Sequence, residues 1–367
     1  MDHERDQKNG SYMGKANKGN CFAVIDSGSH EMAAIAAHWN NNGDYDVEGF
    51  ARADSRGIKK GIVTDIPMAT DSVAALLGKL SERTGKPIRE VYASVSSPSV
   101  GIIPSEGSML LSKYGREVTE RDMDDCIEVG AALKLPLDVE PLHKIVKDFR
   151  LDSEKGIKNP LNLDGVKLGV ELNVVTISSS VVRNMSRCIS EAGFLPSGFV
   201  FSGLALAYRM LSDEDRLKGT LLLDVSADLT GAMIYHGGIL GGCKAFSLGV
   251  EDLLTQDGKV EESKADMLTS RIMSVSGWDK VVSVLVAGDG ARHDNLMESL
   301  EKMFNKPVKG ANCIIKPFEE FPAEAIVYAG GLGVLDHLQQ ARRKENISKN
   351  AMMRWYNRAT RFVEKYF

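Results

Sequence analysis

Ordered alternation of apolar and polar residues begins at "CFAVIDSGSHEMAAIAAHW". Phe22 to Ile25 form a short apolar run that stops at Asp26 and Gly28, and a second run follows from Met32 to Trp39. Two such runs about a small-residue turn predict a β-hairpin opening a sheet. "YDVEGFARA" predicts a third strand and "EVYASVSS" another. Between them, "MATDSVAALLGKLSERTG" repeats apolar residues three and four apart, the mark of a helix with one buried face. "TERDMDDCIEVGAAL" predicts a second helix, with Thr119 as N-cap and Asp122 three residues on, close to a capping box.

Strand patterns return in "GVELNVVTIS" and "GTLLLDVSADLTGAMIYHGGILGG". The second repeats the opening unit: an apolar strand ends in Asp, a small-residue turn follows, and a strand returns. Asp26 precedes Ser27, Gly28 and Ser29; Asp224 precedes Ser226 and Thr230. The same unit used twice predicts two related halves facing each other. "KVVSVLVAGDGARHDNLMESLEKMF" predicts strand, glycine turn and helix. "AEAIVYAGGLGVLDHL" predicts a closing small-residue helix, and "QQARRKENISKN" a polar tether.

The chain ends on "NAMMRWYNRATRFVEKYF". At about 100° per residue, Met352, Trp355, Tyr356, Ala359, Phe362, Val363, Tyr366 and Phe367 fall within an arc of roughly 140°. Arg354, Arg358, Arg361 and Lys365 form a stripe on the other side. An amphipathic helix whose polar face is cationic, set beyond a polar tether, predicts contact with an anionic membrane surface rather than packing on its own domain.

Bulk properties narrow the classes. The 367 residues suffice for two domains or one large bilobed unit. Charged residues at 26% and hydrophobic ones at 43% are ordinary for a globular protein. A net charge of −5 argues against a nucleic-acid binder. The basic charge is local, with eight Lys/Arg against two Glu from Arg342 onward. Five dispersed cysteines predict reduced thiols. No run reaches the roughly 18 apolar residues of a membrane span. Residues 1–20 have no apolar core of a signal peptide and read as a disordered tail.

Two Asp turns approaching from opposite lobes are a way to hold a nucleotide triphosphate. Backbone N–H groups of the turns cradle phosphate oxygens, and small residues let them come close. Asp26 and Asp224 can order Mg²⁺ through its waters, because Mg²⁺ dehydrates reluctantly. Gly288 and Gly290, in the turn "AGDGARHDNL", offer an adenosine side. The candidate cofactors are therefore ATP and Mg²⁺.

The order of these turns, with "SRGIKKGIVTDI" and "LHKIVKDFRLDSEKGIKNPLNLDGVKLGVELNVVTISSSVVRNMSRCISEAGF", resembles the actin/Hsp70 ATPase fold and within it the FtsA family of bacterial cell-division proteins. The resemblance implies an α/β, bilobed actin-like fold of two duplicated ribonuclease H-like halves, with a small inserted α+β subdomain used in polymer contacts. It implies a first half over 21–88 and 170–208, the insert over 89–169, and a second half over 209–337. A polar linker would span 338–351 and a membrane-binding helix 352–367. It also implies self-assembly into filaments, the tubulin-like partner FtsZ, other divisome proteins, membrane lipids, and a peripheral place on the cytoplasmic face of the inner membrane at the division site.

The sequence departs from that family at the chemistry. Asp26-Ser27-Gly28-Ser29 stands for Asp-Ile-Gly-Thr, which keeps the hydroxyl. Asp224-Val225-Ser226-Ala227-Asp228-Leu229-Thr230 stands for Asp-x-Gly-Gly-Gly-Thr-Thr, adding side chains and a negative charge where phosphate would lie. Ser202-Gly203 stands for Glu-Pro, and serine cannot orient water as a carboxylate does. Asp289 replaces a glycine. The top lobe over 250–278 leaves room for one helix, in "KVEESKADMLTSRIMSVSG", where the family has a subdomain that grips adenosine and docks FtsZ. These changes predict no robust ATPase activity. The alternatives are an assembly platform like the pilus protein PilM, and a sugar or acetate kinase, for which no acid stands out as catalytic base.

Overall fold

The computed structural model describes residues 21–311 and 327–343. Two five-stranded sheets of the same design carry the chain among these residues. In the first half, β1 (Cys21–Ser27), β2 (Glu31–Trp39) and β3 (Tyr45–Asp54) form an antiparallel meander. A small hairpin of β4 (Ile58–Lys59) and β5 (Ile62–Val63) leads to helix α1 (Ile66–Thr84) and strand β6 (Ile88–Val95), which runs parallel to β1.

The chain then leaves this sheet to build a separate one from β7 (Gly101–Leu110), β9 (Val139–Leu151), β10 (Glu154–Ile157) and β12 (Lys167–Ser178). Helix α2 (Glu120–Ala131) lies between β8 (Arg116–Glu117) and β9, and β8 pairs with β11 (Asp164–Gly165). Helix α3 (Ser179–Glu191) brings the chain back to β13 (Leu195–Phe201), parallel to β6.

After α4 (Ser202–Met210) and α5 (Asp213–Lys218) the design repeats. Strands β14 (Thr220–Val225), β15 (Thr230–His236) and β16 (Ile239–Phe246) form a meander, and β17 (Ser283–Ala287) and β18 (Val308–Gly310) add in parallel beside β14. Each sheet is therefore ordered third, second, first, fourth, fifth strand of its half. The duplication expected from the two Asp turns is present strand by strand, and with it the actin-like bilobed class. Between β16 and β17 lie only α6 (Val250–Leu253), α7 (Glu262–Met273) and a 3₁₀ turn; α8 (Asp294–Phe304) follows β17.

Of three cores, the largest fills the first half and reaches one face of the second sheet through Leu222, Met233 and Tyr235, the next lies on that sheet's other face, and the third fills the insert. The insert differs in extent from the expected 89–169. Strand β6 is paired to β1, and β12 stays in the insert's sheet through Ser178, so the excursion begins after Val95 and ends at Ser178. The pattern of "EVYASVSS" fits either sheet; only the pairing distinguishes them.

The closing segment also differs. A helix runs over 329–343, and Tyr328, Ala329, Leu332, Val334, Leu335 and Leu338 are buried in the core that the first half shares with one face of the second sheet. Three glycines allow this close approach. A Cβ at Gly333 would lie 1.9 Å from the Ala205 carbonyl oxygen, and one at Gly331 would lie 3.0 Å from Ile35 Cδ1. A Cβ at Gly330 would lie 2.0 Å from Asp26 Oδ2. The helix covers 338–343 as well, where a linker was expected; Gln339 and Arg343 donate to Asp44 at 2.9 and 2.6 Å. The tail 1–20, the rest of the expected linker and the terminal helix over 352–367 lie outside the described residues.

Local signals set the helix starts. Asp65 caps α1, its carboxylate accepting from the Met68 N–H at 2.9 Å, and Pro67 sits in the first turn. Thr119 and Asp122 form the expected capping box on α2, and Arg116 grips Asp122 with both guanidinium nitrogens, at 2.5 and 2.6 Å. Arg116 holds the Asp122 carboxyl well below its usual range, despite burial. Asp122→Ala is expected to destabilise the insert by about 1–3 kcal/mol at pH 7. A carboxyl with a depressed folded pKa stabilises above its unfolded pKa, so the deficit should begin to shrink only below about pH 4. Urea midpoints of the two proteins at pH 7 and pH 2 check both parts.

Candidate functional site

Each sheet carries a carboxylate at the penultimate position of its first strand. Asp26 precedes the last residue of β1 and Asp224 the last residue of β14, so the symmetry of the halves brings the two within electrostatic reach of each other. Ser94, on the neighbouring strand β6, donates to Asp26, and Ser27 Oγ donates back to the Ser94 carbonyl at 2.9 Å. Ser226 Oγ donates to Asp224 at 3.3 Å. Burial raises the pKa of Asp26, partly offset by Ser94. Burial, the nearby Asp26 charge and Asp289 push Asp224 up to about 7, against the Ser226 hydrogen bond.

The expected site residues separate into two groups. Asp26, Ser27, Asp224, Ser226 and Gly288 converge on the carboxylate floor. Gly288 has φ 74, and a Cβ there would lie 2.7 Å from Asp224 Oδ1, so only glycine fits. Gly290 instead packs against Val225, whose Cβ a side chain at 290 would meet at 2.5 Å. Gly28 gives β2 room to turn back, since a Cβ would lie 2.4 Å from the Glu31 carbonyl oxygen. Thr230 is buried and spends its hydroxyl on the Leu248 carbonyl at 2.7 Å. It presents no donor to a ligand.

Ser29 is also taken. Its hydroxyl donates at 2.8 Å to Asp228, in the opposite turn. The other oxygen of Asp228 accepts the backbone N–H of Lys60, in the β4–β5 turn, at 2.7 Å. Lys60 Nζ reaches the Ser247 carbonyl at 3.2 Å, and His30 Nε2 lies 2.9 Å from Glu251. The backbone donors at the start of α6 are likewise used: Val250 and Glu251 N–H groups bond the carbonyls of Ser226 and Ala227 at 2.9 and 3.0 Å.

Among the described residues no group of three or more His, Cys, Asp or Glu side chains could hold a metal ion, so the Asp26–Asp224 pair alone would face a divalent cation, and then through its waters. A triphosphate does not fit the donors as they stand, because Asp228, Ser226 and Leu248 already occupy them. Sequence reading singled out Asp228 as a charge near phosphate but missed Ser94 and Lys60. The signal for Lys60 was its place in "SRGIKKGIVTDI"; Ser94 gave none.

The floor makes a stability prediction. A carboxyl whose folded pKa is raised contributes stability fully present below its unfolded pKa of 3.8 and lost as pH rises toward about 7. Asp224→Asn removes that loss. Its melting temperature is expected to exceed the parent's by about 2–6 °C at pH 8 and to match it near pH 4. Calorimetric scans at the two pH values test this.

Comparisons with known proteins place this arrangement. Residues 99–176 match the family model described as the SHS2 domain inserted in FtsA, and coincide with the topological excursion from Gly101 to Ser178. The cell division protein FtsA of Borreliella burgdorferi is 31% identical over 250 residues, which cover 67% of this chain and 60% of that protein. The cell division protein FtsA of Pseudomonas aeruginosa is 24% identical over 228 residues, covering 62% of this chain and 54% of that protein. These matches thus span little more than half the length of the relatives. Among solved structures, a PilM–PilN type IV pilus biogenesis complex matches with a TM-score of 0.59 at 14% identity, covering 86% of this chain and 98% of that one. An SHS2 domain like the one inserted in FtsA thus emerges between the fourth and fifth strands of an actin-like first half, in a chain that is similar to FtsA cell-division proteins over about two thirds of its length.

Proposed function

We propose that this protein is an actin-like cell-division adaptor that assembles into filaments on the cytoplasmic face of the inner membrane. The observation that carries the reading is the 31% identity to a cell division protein FtsA together with the SHS2 insert in its topological place. In this reading the terminal segment from Asn350 is the lipid contact, with Trp355, Phe362, Val363, Tyr366 and Phe367 facing the acyl boundary. Arg354, Arg358, Arg361 and Lys365 face anionic headgroups. Attachment through one such helix is weak and reversible, and rows of subunits make it firm through avidity. FtsZ and other divisome proteins are the proposed partners. Among the described residues no helix is long and apolar enough to cross a membrane.

A specific observation supports a second reading. The likeness to the PilM–PilN structure covers 98% of that chain, whereas the chain spans 60% of its Borreliella relative. A platform of that kind would engage a membrane protein's peptide, not lipid. Co-sedimentation with liposomes of anionic and zwitterionic composition separates the two. The adaptor reading expects binding to anionic vesicles that is lost on truncation before Asn350 and reduced at least tenfold in the double variant Phe362→Glu, Val363→Glu. Full-length protein that stays in the supernatant with anionic vesicles at low salt rejects it.

A further inference from the structure

We propose that Asp228 is a built-in counter-anion: its carboxylate takes the donors through which the two halves would otherwise grip an external phosphate, and so holds the cleft closed without nucleotide. One carboxylate joins three turns. Asp228 belongs to the β14–β15 turn of the second half, and its oxygens accept from Ser29 Oγ in the β1–β2 turn and from the Lys60 N–H in the β4–β5 turn, at 2.8 and 2.7 Å. Hydrogen bonds to an ionised acceptor are about twice as strong as neutral ones. Both donors are of the kind that cradle phosphate oxygens, a hydroxyl and a backbone N–H in a tight turn.

The turns are held for this contact. Lys60 adopts φ 51, a left-handed conformation unusual for a non-glycine residue, and Gly61 follows at φ 70. Gly61 is pressed against the Ser96 carbonyl, which a Cβ would meet at 2.1 Å, so the β4–β5 turn has no room to withdraw. On the other side, the Ser226 N–H bonds the Leu229 carbonyl at 2.9 Å, and Gly249 packs so closely that a Cβ would lie 2.4 Å from the Asp228 nitrogen. The Asp228 backbone is therefore fixed between α6 and the cleft. Lys60 Nζ on Ser247 and His30 beside Glu251 add two further links across the cleft.

The consequence is selectivity. A phosphate oxygen placed on the same donors would displace the carboxylate and stand beside its charge, and two like charges about 4 Å apart repel strongly in a partly desolvated cleft. A covalently attached anion also never dissociates, so closure does not follow nucleotide concentration. Asp228 thus sets ligand specificity by excluding phosphorylated ligands. This inference does not rest on the adaptor reading; it concerns the cleft alone.

The test uses the full chain and the variants Asp228→Gly and Asp228→Asn. In hydrogen exchange without nucleotide, amides of residues 58–62 and 226–230 should be protected in the parent and exchange at least tenfold faster in both variants. In calorimetry, Mg–ATP and inorganic tripolyphosphate should bind Asp228→Gly at least tenfold more tightly than the parent. Should Asp228→Gly fail to fold, Ser29→Ala removes one of the two donors without touching the turn, and must raise exchange at 226–230. Parent-like exchange in the variants, or binding of Mg–ATP to the parent as tight as to Asp228→Gly, overturns the proposal.

Discussion

Two carboxylates at the ends of equivalent strands must share one cleft, and much of the surrounding sequence answers to that constraint. Duplication of the half puts Asp26 and Asp224 opposite each other, where burial and mutual repulsion disfavour ionisation of both. Ser94 and Ser226 supply the hydrogen bonds that make the charges tolerable. Gly288 and Gly330 leave room for the carboxylates themselves, because a Cβ at either position would lie within 2.7 Å of a carboxylate oxygen. Gly330 belongs to the closing helix, so the element that ties the chain back onto the first half is seated by the same carboxylate. The floor of the cleft and the docking of that helix are one packing problem.

That helix also ties the insert to the first half. It enters the core of the first half, where Asp336 meets Arg209 at 2.6 Å and Tyr45 at 2.7 Å. Its His337 ring stacks edge-on to His143 of the insert strand β9, at 5.1 Å between centroids. His143 accepts from the Phe201 N–H at 2.9 Å, and its burial holds the imidazole neutral. Asn173 of β12 donates to the Leu240 carbonyl at 2.9 Å, joining the insert to the second half through a buried polar contact. The insert is therefore bonded to both halves rather than to one sheet alone.

What could be read from sequence follows the range of the interactions. The opening hairpin, the capping box of Thr119 and Asp122, and the helix in "KVEESKADMLTSRIMSVSG" are local patterns and appear as read, whereas the short helix α6 before it gave no such pattern. The start of α1 was missed because Asp65 and Pro67 lie just before the apolar repeat. The insert's boundary was misplaced by about a strand, since β6 has the same composition whichever sheet it joins. The closing helix approaches the first half through glycine contacts with Asp26, Ile35 and Ala205, all remote in sequence, which no local pattern shows. Asp228 shows the limit most clearly: its partners are 199 and 168 residues away, and nothing local distinguishes a latch from a lost glycine.

The loss of glycines in the second turn therefore has a physical reading other than decay. In a turn built to admit phosphate, each added Cβ is an obstruction; in a turn built to bond across the cleft, a carboxylate on a short side chain is the reach required. Ser226 and Asp228 each make a hydrogen bond that glycine could not. The same logic bears on the small lobe. If the cleft is closed by its own side chain, no adenosine grip is needed, and an abbreviated segment between β16 and β17 costs the fold little because α7 still buries Ala265, Leu268 and Ile272 in the second core.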